Sequence, residues 1–181
     1  MKVMRTRALF RPSVVLLALI LISACAKATA DKAAAIDAKR TPVPALKGRV
    51  NDTADVLQPS DRDRLSGLLA DYERETGHQV AVLTVPTLGD ESIESFCLRA
   101  ANSWHLGRKG IDDGMLVCLA MKERQVRIEL GLGTARHISN TDAKEIIAVD
   151  MTPSFAVGDF ARGLELGLKR LMEEGRRFTD K

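Results

Sequence analysis

The sequence predicts an α/β fold, a three-layer α/β/α sandwich around a central mixed sheet. Three observations predict it. Helical and strand periodicities alternate along the chain. Two strand segments, Gln79 to Val85 and Met115 to Met121, are apolar almost throughout, as in a strand covered on both faces. A third, Val126 to Leu130, alternates apolar with Arg127 and Glu129, as in a strand with one half-exposed face.

The elements follow in order. Leu65, Leu68, Leu69 and Tyr72 recur at helical spacing and mark one buried face. Pro59 suits the first turn of that helix and Ser60 with Asp63 offers a competing cap, while Gly77 stops it. After the first buried strand, Ser92 to Leu106 reads as a helix with Ile93, Phe96, Ala100 and Trp104 inward. The second buried strand and the polar turn Lys122-Glu123-Arg124 lead into the alternating strand. Asn140 or Thr141 then caps a helix carrying Ile146, Ile147 and Val149 that ends near Pro153. Asp159 opens a last helix with Phe160, Leu164, Leu168 and Leu171 as its stripe. Runs of this order build layers.

The chain has 181 residues, 45% hydrophobic and only 4% aromatic, so its core is aliphatic. Its net charge of +3 comes from the front end, where Lys2, Arg5, Arg7 and Arg11 precede the first apolar run. Without them 23 bases face 24 acids. A nucleic-acid binder carries its basic stripe on the folded domain, and that class is set aside.

Those four charges, the apolar run from Val14 to Ile22 and then Ser23-Ala24-Cys25 have the layout of an export signal too short to span a bilayer. Ile22-Ser23-Ala24-Cys25 resembles the lipobox of bacterial lipoproteins, which implies cleavage before Cys25 and a diacylated cysteine. The expected organisation is a signal peptide over 1–24, a lipidated flexible tether over 25–45 and one domain over 46–176. Residues 26–41 are Ala- and Lys-rich without an apolar face, a composition that does not order itself. The expected partner is thus a membrane, held through lipid on Cys25. Ala26, in place of the Asp common in inner-membrane lipoproteins, points to the outer membrane facing the periplasm. Cys97 and Cys118 remain. An oxidising compartment allows a disulfide, but their places in a helix and an apolar strand favour two buried thiols.

Gly48-Arg49-Val50-Asn51-Asp52 with Ala54 and Leu57, and Thr76-Gly77-His78-Gln79-Val80, resemble the opening of the TPM domain. Trp104 to Leu116, with Gly107, Gly110, Asp113 and Gly114, and Val126 to Gly133 resemble its middle. Pro153, Phe155, Gly158-Asp159-Phe160, Gly163 and Gly167 are similar to its end. The likeness runs over residues 46–173. It implies a three-layer fold in exported or lumenal proteins, some of them calcium-binding, some lumenal phosphatases, others assembly factors. Lipid on Cys25 is expected to take the place of the transmembrane helix and Gly-rich tail of many bacterial members. Asp112-Asp113-Gly114 stands where the family usually has Asp-Asn-Gly, which makes the site more negative.

From this resemblance, Asp112 and Asp113 joined by Asp52 are the candidate cation ligands, and calcium, which takes six to eight oxygens, is the implied ion. The plainer reading is a solvated turn. Arg108, Lys109 and Arg127 are the candidate phosphate-binding groups, against a reading as surface charge. Neither a G-x-S-x-G elbow nor a paired-histidine zinc helix is present; His78, His105 and His137 read as surface or capping residues. Gly131-Leu132-Gly133 lacks the third glycine of a dinucleotide loop, Arg136 standing there, so no nucleotide cofactor is expected. The leading expectation is a lipid-anchored binding or assembly accessory of the cell envelope with a protein partner and a candidate calcium site. A metal-dependent phosphatase is the alternative.

Overall fold

A computed structural model describes residues 40–177. The leader, Cys25 and most of the expected tether lie outside the described residues. From Thr41 onward the chain forms one compact unit, and no helix among the described residues is long and apolar enough to cross a membrane.

The order is β1 (Val50–Asp52), α1 (Pro59–Thr76), β2 (Val80–Val85), α2 (Ile93–Ser103), β3 (Met115–Ala120), β4 (Gln125–Leu130), α3 (Asn140–Ile146), α4 (Thr152–Ala156) and α5 (Phe160–Arg176). The strands lie in the order β1-β2-β3-β4. β1, β2 and β3 are parallel and β4 returns antiparallel, so the sheet is mixed. All six residues of β2 and all six of β3 are buried. Their alternate side chains feed two separate cores. Val80, Val82, Met115, Val117 and Leu119 meet Leu65 and Leu69 of α1 and Leu164 and Leu168 of α5. Ala81, Leu83, Leu116 and Cys118 meet Phe96 and Ala100 of α2. The three-layer sandwich is therefore the observed architecture.

β1 to β2 and β2 to β3 are steps in the same direction across the sheet, yet α1 and α2 cover opposite faces. Crossovers of one hand would put both helices on one face. One of the two is consequently left-handed, against a strong general preference.

Cys97 of α2 and Cys118 of β3 form a disulfide, with Cα atoms 6.2 Å apart. This corrects the expectation of two free thiols: consecutive elements in contact brought the cysteines into bonding range, a juxtaposition that linear spacing does not reveal. The residues just before the expected domain start are held to α2. Thr41 O accepts from Arg99 Nη2 (2.7 Å) and Pro44 O from Trp104 Nε1 (2.8 Å), while Val43 packs on the α2 core. Backbone from at least Arg40 onward, which makes a β-bridge, is thus docked on the domain.

Two helix ends differ from expectation. Ser139, not Asn140 or Thr141, caps α3, in a reciprocal capping box with Asp142. Pro153 does not end the helical run. Residues Ile147–Met151 form a π-turn and the chain continues through α4, which has the proline in its first turn. Proline has no N–H to give to an earlier carbonyl, and a wider turn ahead of it accommodates that loss.

The disulfide closes a loop of 21 residues, a constraint on the unfolded chain of about 3 kcal/mol. A Cys97→Ala/Cys118→Ala variant is expected to lose about that much unfolding free energy in urea melts. Identical curves would refute it.

Candidate functional site

At the amino ends of β2 and β3 three loops meet around a cleft of about 620 Å³. They are the turn after α1 (Thr76, Gly77, His78), the loop 107–114 and the loop 131–137. Gly77 caps α1 at φ 77°, and a Cβ there would lie 2.8 Å from Nη1 of Arg108. Glycine is needed both for the turn and to let the guanidinium pass. The backbones of the second and third loops touch directly. Gly131 N donates to Gly114 O (2.8 Å) and Gly133 N to Asp112 O (2.9 Å). A Cβ on either glycine would collide with the carbonyl oxygens of Asp112 and Ile111.

Asp113 is the buried centre of the loop, 2% exposed. Its Oδ1 accepts from the Arg108 N–H (2.7 Å). Its Oδ2 accepts from Arg108 Nε (2.7 Å) and pairs with Nη2 at 2.6 Å. This is a two-pronged guanidinium–carboxylate pair that closes the turn on itself. Burial pushes the Asp113 carboxyl up, but the Arg108 hydrogen bonds and charge outweigh it and hold the group below the usual carboxylate range. Behind the pair lies His78, 8% exposed, with Nδ1 3.2 Å from Tyr72 Oη. Burial lowers the His78 pKa, partly countered by Asp113 and assisted by Arg108 and His137. Burial also pushes Tyr72 up to about 12. The phenol is therefore protonated, and it shares a hydrogen bond with the imidazole whose direction follows the His78 tautomer.

Asp52 is elsewhere. It pairs with Thr84 across β1 and β2, near their carboxyl ends, whereas Asp113 precedes Met115, the partner of Val80 at the amino end. A strand length, roughly 20 Å at ~3.3 Å per residue, separates them. The Asp52 side chain is fully buried and occupied: Oδ1 accepts from Val56 N (3.2 Å) and Thr84 Oγ1, and Oδ2 from Leu57 N (2.9 Å) and Arg62 Nη1 (3.4 Å). It shapes the loop that leads into α1.

The three expected cation ligands thus do not converge. Asp113 is saturated by Arg108, Asp52 holds a loop at the other end, and Asp112 is exposed on the cleft rim. No group of three or more potential His, Cys, Asp or Glu ligands occurs among the described residues. These carboxylates do not fit a shared calcium site. The expected phosphate-binding set is dispersed as well. Arg108 lines the cleft but is engaged with Asp113, and Lys109 is exposed beside it. Arg127 stands in register with Cys118 on the α2 face and pairs with Glu129 at 2.8 Å. Sequence reasoning missed Arg136, on the cleft wall, and His78, taken for a surface residue. The place of His78 directly before a wholly buried strand was the available signal.

The profile of the TPM domain matches residues 50–174. The chain belongs to the TPM domain family. Similar solved structures support the same fold. The N-terminal domain of a P. gingivalis protein is 28% identical, with a TM-score of 0.67 over 72% of this chain and 83% of that one. A protein from the psychrophilic bacterium Bizionia argentinensis has a TM-score of 0.61 at 13% identity, covering 70% and 86%. The N-terminal domain of a Corynebacterium glutamicum protein has 0.56 at 15%, covering 74% and 86%. No curated protein matches the chain. In this TPM domain the glycines quoted above serve loop contact and the two buried aspartates serve loop closure.

Two outcomes follow for this TPM domain. Asp52→Ala removes the acceptor of several buried or partly buried donors and is expected to cost about 2–3 kcal/mol of stability, equally with and without calcium; calcium-dependent rescue in thermal melts would contradict it. Because the folded His78 pKa lies below 6.5, the unfolded chain takes up the proton more readily, and stability falls as pH drops from 7 through the folded value. His78→Gln should flatten that slope between pH 7 and 5, as read by urea midpoints.

Proposed function

We propose that this TPM-domain protein is a lipid-anchored binding or assembly accessory of the bacterial cell envelope, presenting the cleft between Arg108, Arg136 and His78 to an envelope protein. The observation that carries this reading is the engagement of Asp113 by Arg108 through three donors. A carboxylate so bound is a fixed part of a wall, and a pre-shaped wall lowers the ordering cost of binding a partner. The rim adds exposed aliphatic side chains on two loops, Ile111 (49%) and Leu132 (73%), beside the exposed Arg136 and Asp112. An apolar contact ringed by charge is the usual makeup of a protein-binding patch.

The cellular setting rests on two supports. The buried disulfide suits an oxidising compartment. The leader of four basic residues, apolar run and Ser23-Ala24-Cys25 suits export and lipidation, with the outer membrane facing the periplasm as the proposed destination.

The test has two arms. Mass spectrometry of the membrane fraction is expected to find an acylated Cys25 at the mature front end, and Cys25→Ser is expected to shift the protein into the soluble fraction. Equal partitioning of the two forms would refute the anchor. Pull-down of the intact protein from its own membrane should recover a partner that is lost on Leu132→Asp/Arg136→Glu. Hydrolysis of a generic phosphoester by the pure protein, abolished by Asp112→Asn, would instead favour a phosphatase and overturn the binding role.

A further inference from the structure

A second cleft, of about 460 Å³, opens at the other end of the sheet. Its floor is Leu119 and Ala120 at the end of β3 and Val126 at the start of β4. Its far wall is Phe155 and Ala156 of α4 with Phe160 of α5. The Phe155 and Phe160 rings are 5.5 Å apart, and both side chains, like Val126, are only partly covered by the core. Val157, between two wall residues, is 80% exposed. Among the described residues, the one cation lining this apolar hollow is Arg124.

Arg124 combines two features. Many arginines of this domain are spent in ion pairs, among them Arg49, Arg99, Arg108 and Arg127. Arg124 has no hydrogen-bonding or ionic side-chain partner among the described residues. The neighbouring acid does not neutralise it, since Glu123 Oε1 turns away to accept from Thr87 Oγ1 (2.7 Å) and Leu88 N (3.1 Å). Arg124 also has a left-handed backbone, φ 53°, where glycine or asparagine is the comfortable choice. Arg124 is thus an exposed, unpaired guanidinium at the tip of the β3–β4 turn and on the rim of an apolar hollow.

The geometry points to a binding site for a small amphiphile with a carboxylate head and a straight apolar body, of the medium-chain fatty-acid kind. The head meets Arg124, whose planar fork matches a carboxylate, and the chain lies over Val126, Phe155 and Phe160. The volume of about 460 Å³ lies in the ~300–1,000 Å³ range of small-molecule sites, and a ten-carbon acid is a suitable probe of that class. A pocket of this size, mostly apolar with one orienting polar group, has the makeup of a small-molecule site. The inference is independent of the role proposed for the other cleft and stands if that role fails.

Decanoate, decanol and decylamine test it, titrated into the full chain with Cys25→Ser in detergent-free buffer and followed by calorimetry and amide chemical shifts. Decanoate is expected to bind saturably with a Kd on the order of 0.1 mM, moving Gln125, Val126 and the Phe155–Phe160 segment. Decanol and decylamine should bind at least roughly tenfold more weakly, the difference a charged hydrogen bond supplies. Arg124→Gly separates binding from folding. Glycine relieves the left-handed backbone, so its melting temperature should rise while decanoate affinity drops to that of decanol. Phe155→Ala should weaken all three ligands. Equal affinity for the three, shifts centred elsewhere, or undiminished decanoate binding by Arg124→Gly would each overturn the proposal. So would concentration-dependent self-association through the same residues without ligand, which would give the cleft to a second copy of the chain.

Discussion

Everything in this domain depends on two strands that have no wet face. β2 and β3 bury every side chain, so helices must cover both sides of the sheet, and the chain has to change sides between them. That requirement accounts for the opposite placement of α1 and α2, and for the unusual hand of one crossover. It also brings Cys97 onto Cys118, fixing the thin layer of α2 and the incoming arm to the sheet with a covalent bond. The thicker layer needs no such bond. There α5 approaches closely because Gly163 and Gly167 leave room for Phe155 and Met151.

The two ends of the sheet have then been put to different uses. At the amino ends of the parallel strands, charge is neutralised locally: Arg108 and Asp113 lock one loop, glycines let the next loop lie against it, and Tyr72 and His78 seal the back. At the carboxyl ends, Asp52 gathers backbone and side-chain donors into the loop before α1, while the β3–β4 turn leaves Arg124 beside an uncovered aromatic pair. Acidic residues that look like ligands in the sequence are here structural acceptors. A buried carboxylate is stable when donors surround it, and backbone N–H groups and one arginine serve as well as a cation does.

The layered fold was legible because it is written in periodicity. The apolar runs of β2 and β3, the half-apolar alternation of β4 and the leucine stripes of α1 and α5 all come from local pattern, and each holds in the structure. The sites were less legible because they depend on register. Nothing in the spacing of Asp52 and Asp113 says that the chain places them at opposite ends of parallel strands; only the pairing of Asp52 with Thr84 and of Val80 with Met115 does. The same blindness hid the disulfide, the burial of His78 and the pairing of Arg127 with Glu129. Ser139, Asn140 and Thr141 are all capable caps by residue type, and only backbone geometry chooses Ser139 among them.

The docking of Thr41 and Pro44 has a mechanical side. Both are gripped by α2, through Arg99 and Trp104, and α2 is itself bonded to β3 through Cys97 and Cys118. A pull on the arm is therefore passed through one helix to a strand in the middle of the sheet, and arm, helix and strand bear it as one piece.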